Sequence, residues 1–318
     1  MQRVNLISNK GEKFSYYHCD EFRIGSGAMG EVFKGWYTDY PEQKVAIKKV
    51  YNRHAENPQI RNRARHEASL LIYHPNLIKM IGYSEFDRNR GPIYIISELI
   101  RGETIDRCVR ESDPSMRVAV VSGMMCSVLD ALHCLHTQNP PVWHRDLKPS
   151  NIMVENGRGV KVMDLGIATS DGISLGTLEG RGFGTYPYAP PEQITGQRGL
   201  INATSDIYSI GVTFYELLTG VNPFSGGSDV DIMEKQIMMS LPYNSAIPRP
   251  LFRVLLKATA KKQSDRYQSA VSFKEAVMRA TGNAGRQSGG GGLSLGLLYL
   301  VIGALALLII LIIILIII

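Results

Sequence analysis

Residues 143–168 read WHRDLKPSNIMVENGRGVKVMDLGIA. The run opens with His144-Arg145-Asp146-Leu147. Asn151 follows Asp146 by five residues, and Asp164-Leu165-Gly166 begins thirteen residues after Asn151. This spacing predicts two nearby turns that carry Asp146, Lys148, Asn151 and Asp164. Two surface turns rich in Asp and Asn would be the plain explanation, but a pattern of this length seldom arises by chance.

Upstream, residues 22–35 read FRIGSGAMGEVFKG, which places Gly25, Gly27, Gly30 and Val32 in a G-x-G-x-x-G-x-V pattern. Glycines let backbone fold closely over phosphates, where a side chain would collide. The pattern alone is weak, because dinucleotide-binding folds use it at the opening of a helix. Here the next residues, EVFKGW, alternate like a strand. KVAIKKV at 44–50, containing Val45-Ala46-Ile47-Lys48, does the same. Both point to an antiparallel sheet. On such a strand Lys49 faces away from Lys48.

Totals narrow the class. The chain has 318 residues, 44% hydrophobic and 20% charged, with net charge +6. That suits a globular catalytic unit of two lobes with an appendage. The basic balance would fit nucleic acid, an anionic membrane or an anionic small molecule. No zinc finger, aromatic RNA-binding signature or long Lys/Arg block accompanies it, so no nucleic-acid partner is expected. Cys19, Cys108, Cys126 and Cys134 form no C-x-x-C pair, which fits a reducing compartment. The N-terminal stretch MQRVNLISNKGEKFSYY has no apolar core of signal-peptide length.

Together the glycine pattern, Val-Ala-Ile-Lys and the 143–168 run resemble the eukaryotic-like serine/threonine protein kinases. SDIYSIGVTFYELLTGVNPF from Ser205 and SDRYQSAVSF from Ser264 look most like bacterial membrane-linked members. The resemblance covers roughly 20–280. It implies an α+β fold of two lobes: a small antiparallel β lobe with one main helix, and a large, mostly helical lobe. It also implies ATP as cofactor with Mg²⁺, Mn²⁺ being an alternative ion, and proteins bearing Ser or Thr as substrates. Asp146 would orient the substrate hydroxyl and relieve it of its proton. Lys148 would add positive charge beside the transferring group. Asn151 and Asp164 would hold the metal as hard oxygen ligands. Gly25, Gly27, Gly30 and Val32 would cover ATP, with Lys48 on its phosphates. Glu67, on a helix predicted over 59–73, would pair with Lys48. Glu98 and Ile100 would offer backbone groups to adenine, behind a small Ser97.

The same resemblance makes 164–192 an activation segment, with Asp-Leu-Gly and Pro-Pro-Glu where most of the family has Asp-Phe-Gly and Ala-Pro-Glu. Ser174 and Thr177 are its candidate phosphosites, and Arg145 a candidate receiver of the phosphate. Asp206 would cap a helix and tie down the catalytic loop. Arg266 would pair with Glu192. Arg61, Arg63 and Arg65 make the 59–73 helix basic, either as a solvated face or as a dock for a phosphorylated segment.

Residues 282–292, GNAGRQSGGGG, read as a flexible linker. Residues 293–318 then carry 26 uncharged, mostly apolar residues, enough to span a bilayer as a transmembrane helix. Lys274, Arg279 and Arg286 precede it, which would keep the preceding domain cytoplasmic. The expected organisation is an N-terminal extension (1–19), a kinase domain (20–281), the linker and a single-pass tail anchor in the membrane. A homodimer is left open. A nucleotide-responsive scaffold without catalysis is the alternative, and it would require loss of a key group.

Overall fold

The computed structural model describes residues 2–27, 30–87, 90–156, 159–165 and 186–287. The small lobe is a curled antiparallel sheet. Its strands are β1 (Gln2–Ile7), β2 (Lys13–His18), β3 (Arg23–Ser26), β4 (Gly30–Tyr37) and β5 (Lys44–Val50). After two helices, α1 (Asn52–Ala55) and α2 (Pro58–Ser69), come β6 (Met80–Glu85) and β7 (Ile93–Glu98). The order is β1-β2-β4-β5-β7-β6, with β3 paired to β4. Alternation in KVAIKKV buries Val45 and Ile47 on one face of the strand, while Val50, on the other face, packs with Ile60, Ala64 and Ala68 of α2. Val45 and Ile47 join Phe33, Tyr94 and Ile96 in one apolar cluster, to which Leu6, Phe14 and Tyr16 of the first two strands also belong. The N-terminal extension is thus a hairpin built into this lobe.

Helix α2 ends at Ser69, whereas the sequence predicts helix to residue 73. Leu70 adopts an extended conformation, and Leu70 and Ile72 pack against the large-lobe core. A two-residue side-chain alternation against the other lobe overrides helical propensity here. Nor is the α2 arginine face solvated. Arg61 is 2% exposed and donates to Glu85 Oε2 at 3.0 Å and to the carbonyls of Ala55, Asp87, Arg90 and Gly91. Arg65 donates to both oxygens of the same Glu85. Arg63 is buried as well. Arg61 therefore anchors α2 to the β6–β7 hairpin, and the reading as a phosphate dock fails for it.

The large lobe opens with β8 (Gly102–Thr104), α3 (Ile105–Glu111) and α4 (Arg117–His136). Strands β9 (Ile152–Glu155) and β10 (Gly159–Val162) follow, and β10-β9-β8 form a small sheet. Then come α5 (Pro191–Ile194), α6 (Ala203–Thr219), α7 (Asp229–Met238), α8 (Arg249–Ala258) and α9 (Ala270–Gln287). Residues 114–136 are long and apolar enough to cross a membrane. They instead pack against α6 and α9, with Val121, Met125, Leu129 and Leu132 in the core. Helix α6 is capped by Asn202, which exchanges bonds with Ser205 in a capping box. Asp206, the expected cap, has another task. The lobes join where Asn76 and Ile78 bond to the backbone of β10.

One half-buried amine in this lobe makes stability depend on pH. Lys261 Nζ donates to Tyr208 Oη and to the Gln236 carbonyl, each at 2.7 Å, and lies over the Tyr208 and Phe224 rings. Burial, with the charge of Arg266 beside it, pushes its pKa down to about 7. The folded value lies below that of a free lysine, so the unfolded chain binds the extra proton between those two values. Stability should therefore rise as pH goes from 7 to 9, and Lys261→Met should remove that rise. Denaturation midpoints of both proteins at the two pH values measure it. Parallel slopes would mean that the aromatic rings keep the amine charged when folded.

Candidate active site

The 143–168 run supplies a rigid loop. Asp146 accepts from Lys148 Nζ, 2.9 Å from Oδ2, and from Asn151 Nδ2 at 2.9 Å. The same Asn151 amide donates to the Asp146 carbonyl at 2.8 Å. The Asn151 oxygen accepts nothing among the described residues. Its amide nitrogen thus fixes Asp146 while its oxygen is left for another ligand.

Two buried groups that spacing alone does not assign hold this loop. His144 is fully buried. Its Nδ1 accepts from the Asp146 N–H at 3.3 Å, so its Nε2 carries the proton donated to the Met163 carbonyl at 2.9 Å. It therefore links Asp146 to the residue just before Asp164. Asp206, 0% exposed, accepts from the backbone N–H groups of His144 and Arg145 and from His136 Nε2, each at 2.8 Å. Burial works against its charge, yet the His136 contact, the nearby His144 ring and the Arg145 N–H hold its pKa below the usual carboxylate range. These bonds matter because Arg145 has φ 64°, a left-handed conformation that costs a non-glycine residue energy. Asp206→Ala would leave two buried N–H donors and His136 without their acceptor. We expect a loss of about 3–5 kcal/mol in chemical denaturation, together with loss of activity. A stable, active variant would show that the loop keeps its shape without this tether.

Asp164 also has positive φ, 47°. It pairs with Lys48 through Oδ1 at 2.7 Å. The Lys48 charge is the main cause that holds the Asp164 pKa down, more than offsetting burial. Burial opposes charge on Lys48, but Asp164 and Glu67 raise its pKa. Glu67 differs from expectation, since among the described residues it makes no direct ion pair with Lys48. Burial pushes its pKa up to about 7; the Lys48 charge acts against that, and Asp164 adds to it. Glu67 acts on the Lys48 amine through its charge, while the direct bond belongs to Asp164.

The glycines divide by cause. A Cβ on Gly30 would sit 2.1 Å from the Lys49 carbonyl, so β4–β5 pairing itself demands glycine there. A Cβ on Gly25 would make only ordinary contact with Val32, and one on Gly27 would meet nothing. Among the described residues nothing excludes a side chain at those two positions. Val32 pairs with Lys48 across β4–β5 and with Gly25 across β3–β4. Glu98 is tied by its side chain to Lys161 Nζ at 2.8 Å and to the Lys79 N–H at 2.9 Å. Its own N–H bonds to the Lys79 carbonyl. The Ile100 N–H makes no hydrogen bond among the described residues. The site thus joins Lys48, Asp146, Lys148, Asn151 and Asp164. It leaves Glu67 as a neighbour, and Glu98 and Ile100 at the strand end linking the lobes.

Glu192 is 4% exposed and receives both arms of the Arg266 guanidinium, at 2.8 and 2.9 Å, plus Ser205 Oγ at 2.7 Å. Gln263 adds a further bond, and Gln193 reaches back to the Arg145 carbonyl at 3.3 Å. Ser174, Thr177 and the 293–318 run lie outside the described residues.

Residues 19–278 match the family model described as a protein kinase domain. Over 274 residues, 83% of the chain and 42% of the relative, the sequence is 33% identical to a probable serine/threonine-protein kinase PknB of Lactococcus lactis. It is 31% identical to serine/threonine-protein kinase PrkC of Bacillus subtilis, covering 81% of the chain and 39% of that protein. It is also 31% identical to tyrosine-protein kinase MasK of Myxococcus xanthus, covering 86% and 44%. The chain spans about two fifths of the length of these relatives.

Proposed function

The chain belongs to the protein kinase family, and from that premise we propose that it is a serine/threonine protein kinase held at a membrane by residues 293–318. In this reading it transfers the ATP γ-phosphate to protein hydroxyls and to its own activation segment, at Ser174 or Thr177.

The observation that carries the reading is the pair of bonds from Asn151 and Lys148 to the Asp146 carboxylate. They fix the Asp146 carboxylate in place beside the Lys148 amine. Asp146 takes the hydroxyl proton as the oxygen attacks, and Lys148 balances charge that develops on the phosphoryl oxygens. Lys48 holds the α- and β-phosphates. Gly25 and Gly27, where no described residue excludes a side chain, leave room for phosphate beside the backbone. The Ile100 N–H, unbonded among the described residues, and the Glu98 carbonyl would be offered to adenine.

The Asn151 oxygen and the Asp164 carboxylate are hard donors that suit Mg²⁺ or Mn²⁺. No group of three or more His, Cys, Asp or Glu among the described residues could hold a metal unaided, so nucleotide phosphates would complete the coordination. The ion supplies charge neutralisation on the phosphates when bound. Lys48, now on Asp164, is then shared with the nucleotide.

The Lys-Pro of the 146–151 loop favours Ser and Thr over Tyr. The test is full-length protein with labelled ATP and Mg²⁺, alone and with a generic basic protein, beside Lys48→Met. Label as phosphoserine or phosphothreonine on the wild type alone supports the reading. Phosphotyrosine would move the assignment towards the type named for the Myxococcus relative. ATP-dependent thermal stabilisation without label would favour the nucleotide-responsive scaffold. Flotation resistant to alkaline carbonate tests the anchor.

A further inference from the structure

We propose that the exposed face of α8 is a docking surface for anionic lipid headgroups, which lays the large lobe onto the membrane. The proposal rests on the reading of 293–318 as a membrane span.

Residues 249–262, RPLFRVLLKATAKK, contain five basic residues and no acid; Lys261 turns inward onto Tyr208, which leaves Arg249, Arg253, Lys257 and Lys262 as its outward cations. Leu251, Leu255 and Ala258 face the core. Arg249, Arg253 and Lys257, at four-residue spacing, lie exposed on the other side with Leu256. Arg249, Arg253, Lys257 and Lys262 form no ion pair among the described residues. Other exposed cations such as Lys13 and Lys34 form no ion pair among the described residues either; what marks this stripe is three exposed cations at four-residue spacing on one face of a helix that carries no acid.

Its side chains are also held in place. The Arg249 guanidinium lies 5.7 Å from the centre of the Tyr243 ring, and Lys257 Nζ lies 4.8 Å from that of Tyr267. Ordering on aromatic faces reduces the entropy lost when an anion is met. Tyr243 is 53% exposed and Leu256 39%. Cations interspersed with exposed apolar groups on one helix face are the pattern of an interfacial helix.

Tethering favours lipid over an acidic protein partner. Helix α8 packs on α9, and only six peptide steps separate the end of α9 at Gln287 from Leu293, where the uncharged run begins. They reach at most about 20 Å when extended. The large lobe is therefore confined near the headgroups, and a basic face there needs no affinity of its own to meet them. Helix α8 packs on α6 and α9, within the helical scaffold of the large lobe.

The test uses full-length protein in phosphatidylcholine vesicles, with and without phosphatidylserine. The rate of acetylation at Lys257 is read by mass spectrometry, with exposed Lys34 of β4 as internal reference. We expect Lys257 acetylation to slow several-fold when phosphatidylserine is present, and to recover at high salt. The triple variant Arg249→Glu, Arg253→Glu, Leu256→Ser should lose the slowing at Lys257 while keeping the wild-type thermal midpoint. Equal rates in both vesicles, with the protein inserted, would overturn the proposal. So would protection by polyglutamate but not by phosphatidylserine. If the chain fails to insert into neutral vesicles, the anchor reading falls instead. Flotation on phosphatidylserine vesicles that is lost in the variant would then still support the α8 face, and absence of that flotation would overturn it.

Discussion

Asp146→Asn is expected to lower phosphoryl transfer by about a thousandfold or more while leaving the fold intact. The side chain is 27% exposed and belongs to no apolar cluster, so the change opens no cavity. What it alters is local. Both carboxylate oxygens accept from donors, Lys148 on each and Asn151 on Oδ2. An amide can offer only one oxygen, so its NH₂ must face Lys148 or Asn151 and repel it. The negative charge that could take a proton is gone as well. ATP binding should persist, because Lys48, Asp164 and the glycine strands lie outside this contact. The measurement is single-turnover transfer, with ATP affinity read separately from thermal shift. Unchanged affinity with lost transfer assigns Asp146 to chemistry. Wild-type turnover would remove it from the role of base.

The chemistry was legible because it constrains residue types at short range. Asn151 meets Asp146 five residues away, so the spacing carries the contact. Pairings across long separations were not legible in the same way. Lys48 lies 116 residues from Asp164, and which of Asp164 and Glu67 bonds its amine is set by tertiary placement that no local pattern reports. Arg61 reads as a surface arginine because its partners, Glu85 and the carbonyls at 87, 90 and 91, come from a hairpin 24 to 30 residues later. Its burial emerges only once α2 lies across β6 and β7. The cap of α6 was different. The Asn202 and Ser205 signal stood in the sequence, three residues apart, and Asp206 drew the assignment because it also fits the family pattern. His144 was visible within the motif but had no role until its two ring nitrogens were seen to serve both turns.

Deleting residues 1–18 is expected to abolish stable folding, although a boundary drawn at the shared domain would discard them. Phe14 and Tyr16 are fully buried and Leu6 is 1% exposed. Tyr16 packs on Phe33 with ring centroids 5.0 Å apart, and Phe14 on Tyr37 at 4.6 Å. The turn is fastened at the far side of the sheet. Asn9 N–H donates to the Tyr83 carbonyl at 2.7 Å, its side-chain oxygen accepts from the Tyr83 N–H at 3.0 Å, and Lys10 donates to the Ile81 carbonyl. Strands β1 and β6, at the two ends of the strand order, are thereby stapled together. Losing one buried Leu or Phe costs about 2–5 kcal/mol. Three such losses approach the entire stability of a typical domain, about 5–15 kcal/mol. The deletion would also bare an apolar β4 edge, where Tyr16 now pairs with Gly35, and such edges aggregate. Thermal unfolding and soluble yield of the chain with and without residues 1–18 decide the matter. A cooperative transition within a few degrees of the intact protein would make the hairpin an accessory, and the small lobe would then have to close its core by another route. Phe14→Ala in the full chain separates core packing from the staple: it should lower the midpoint strongly while Asn9 still binds Tyr83.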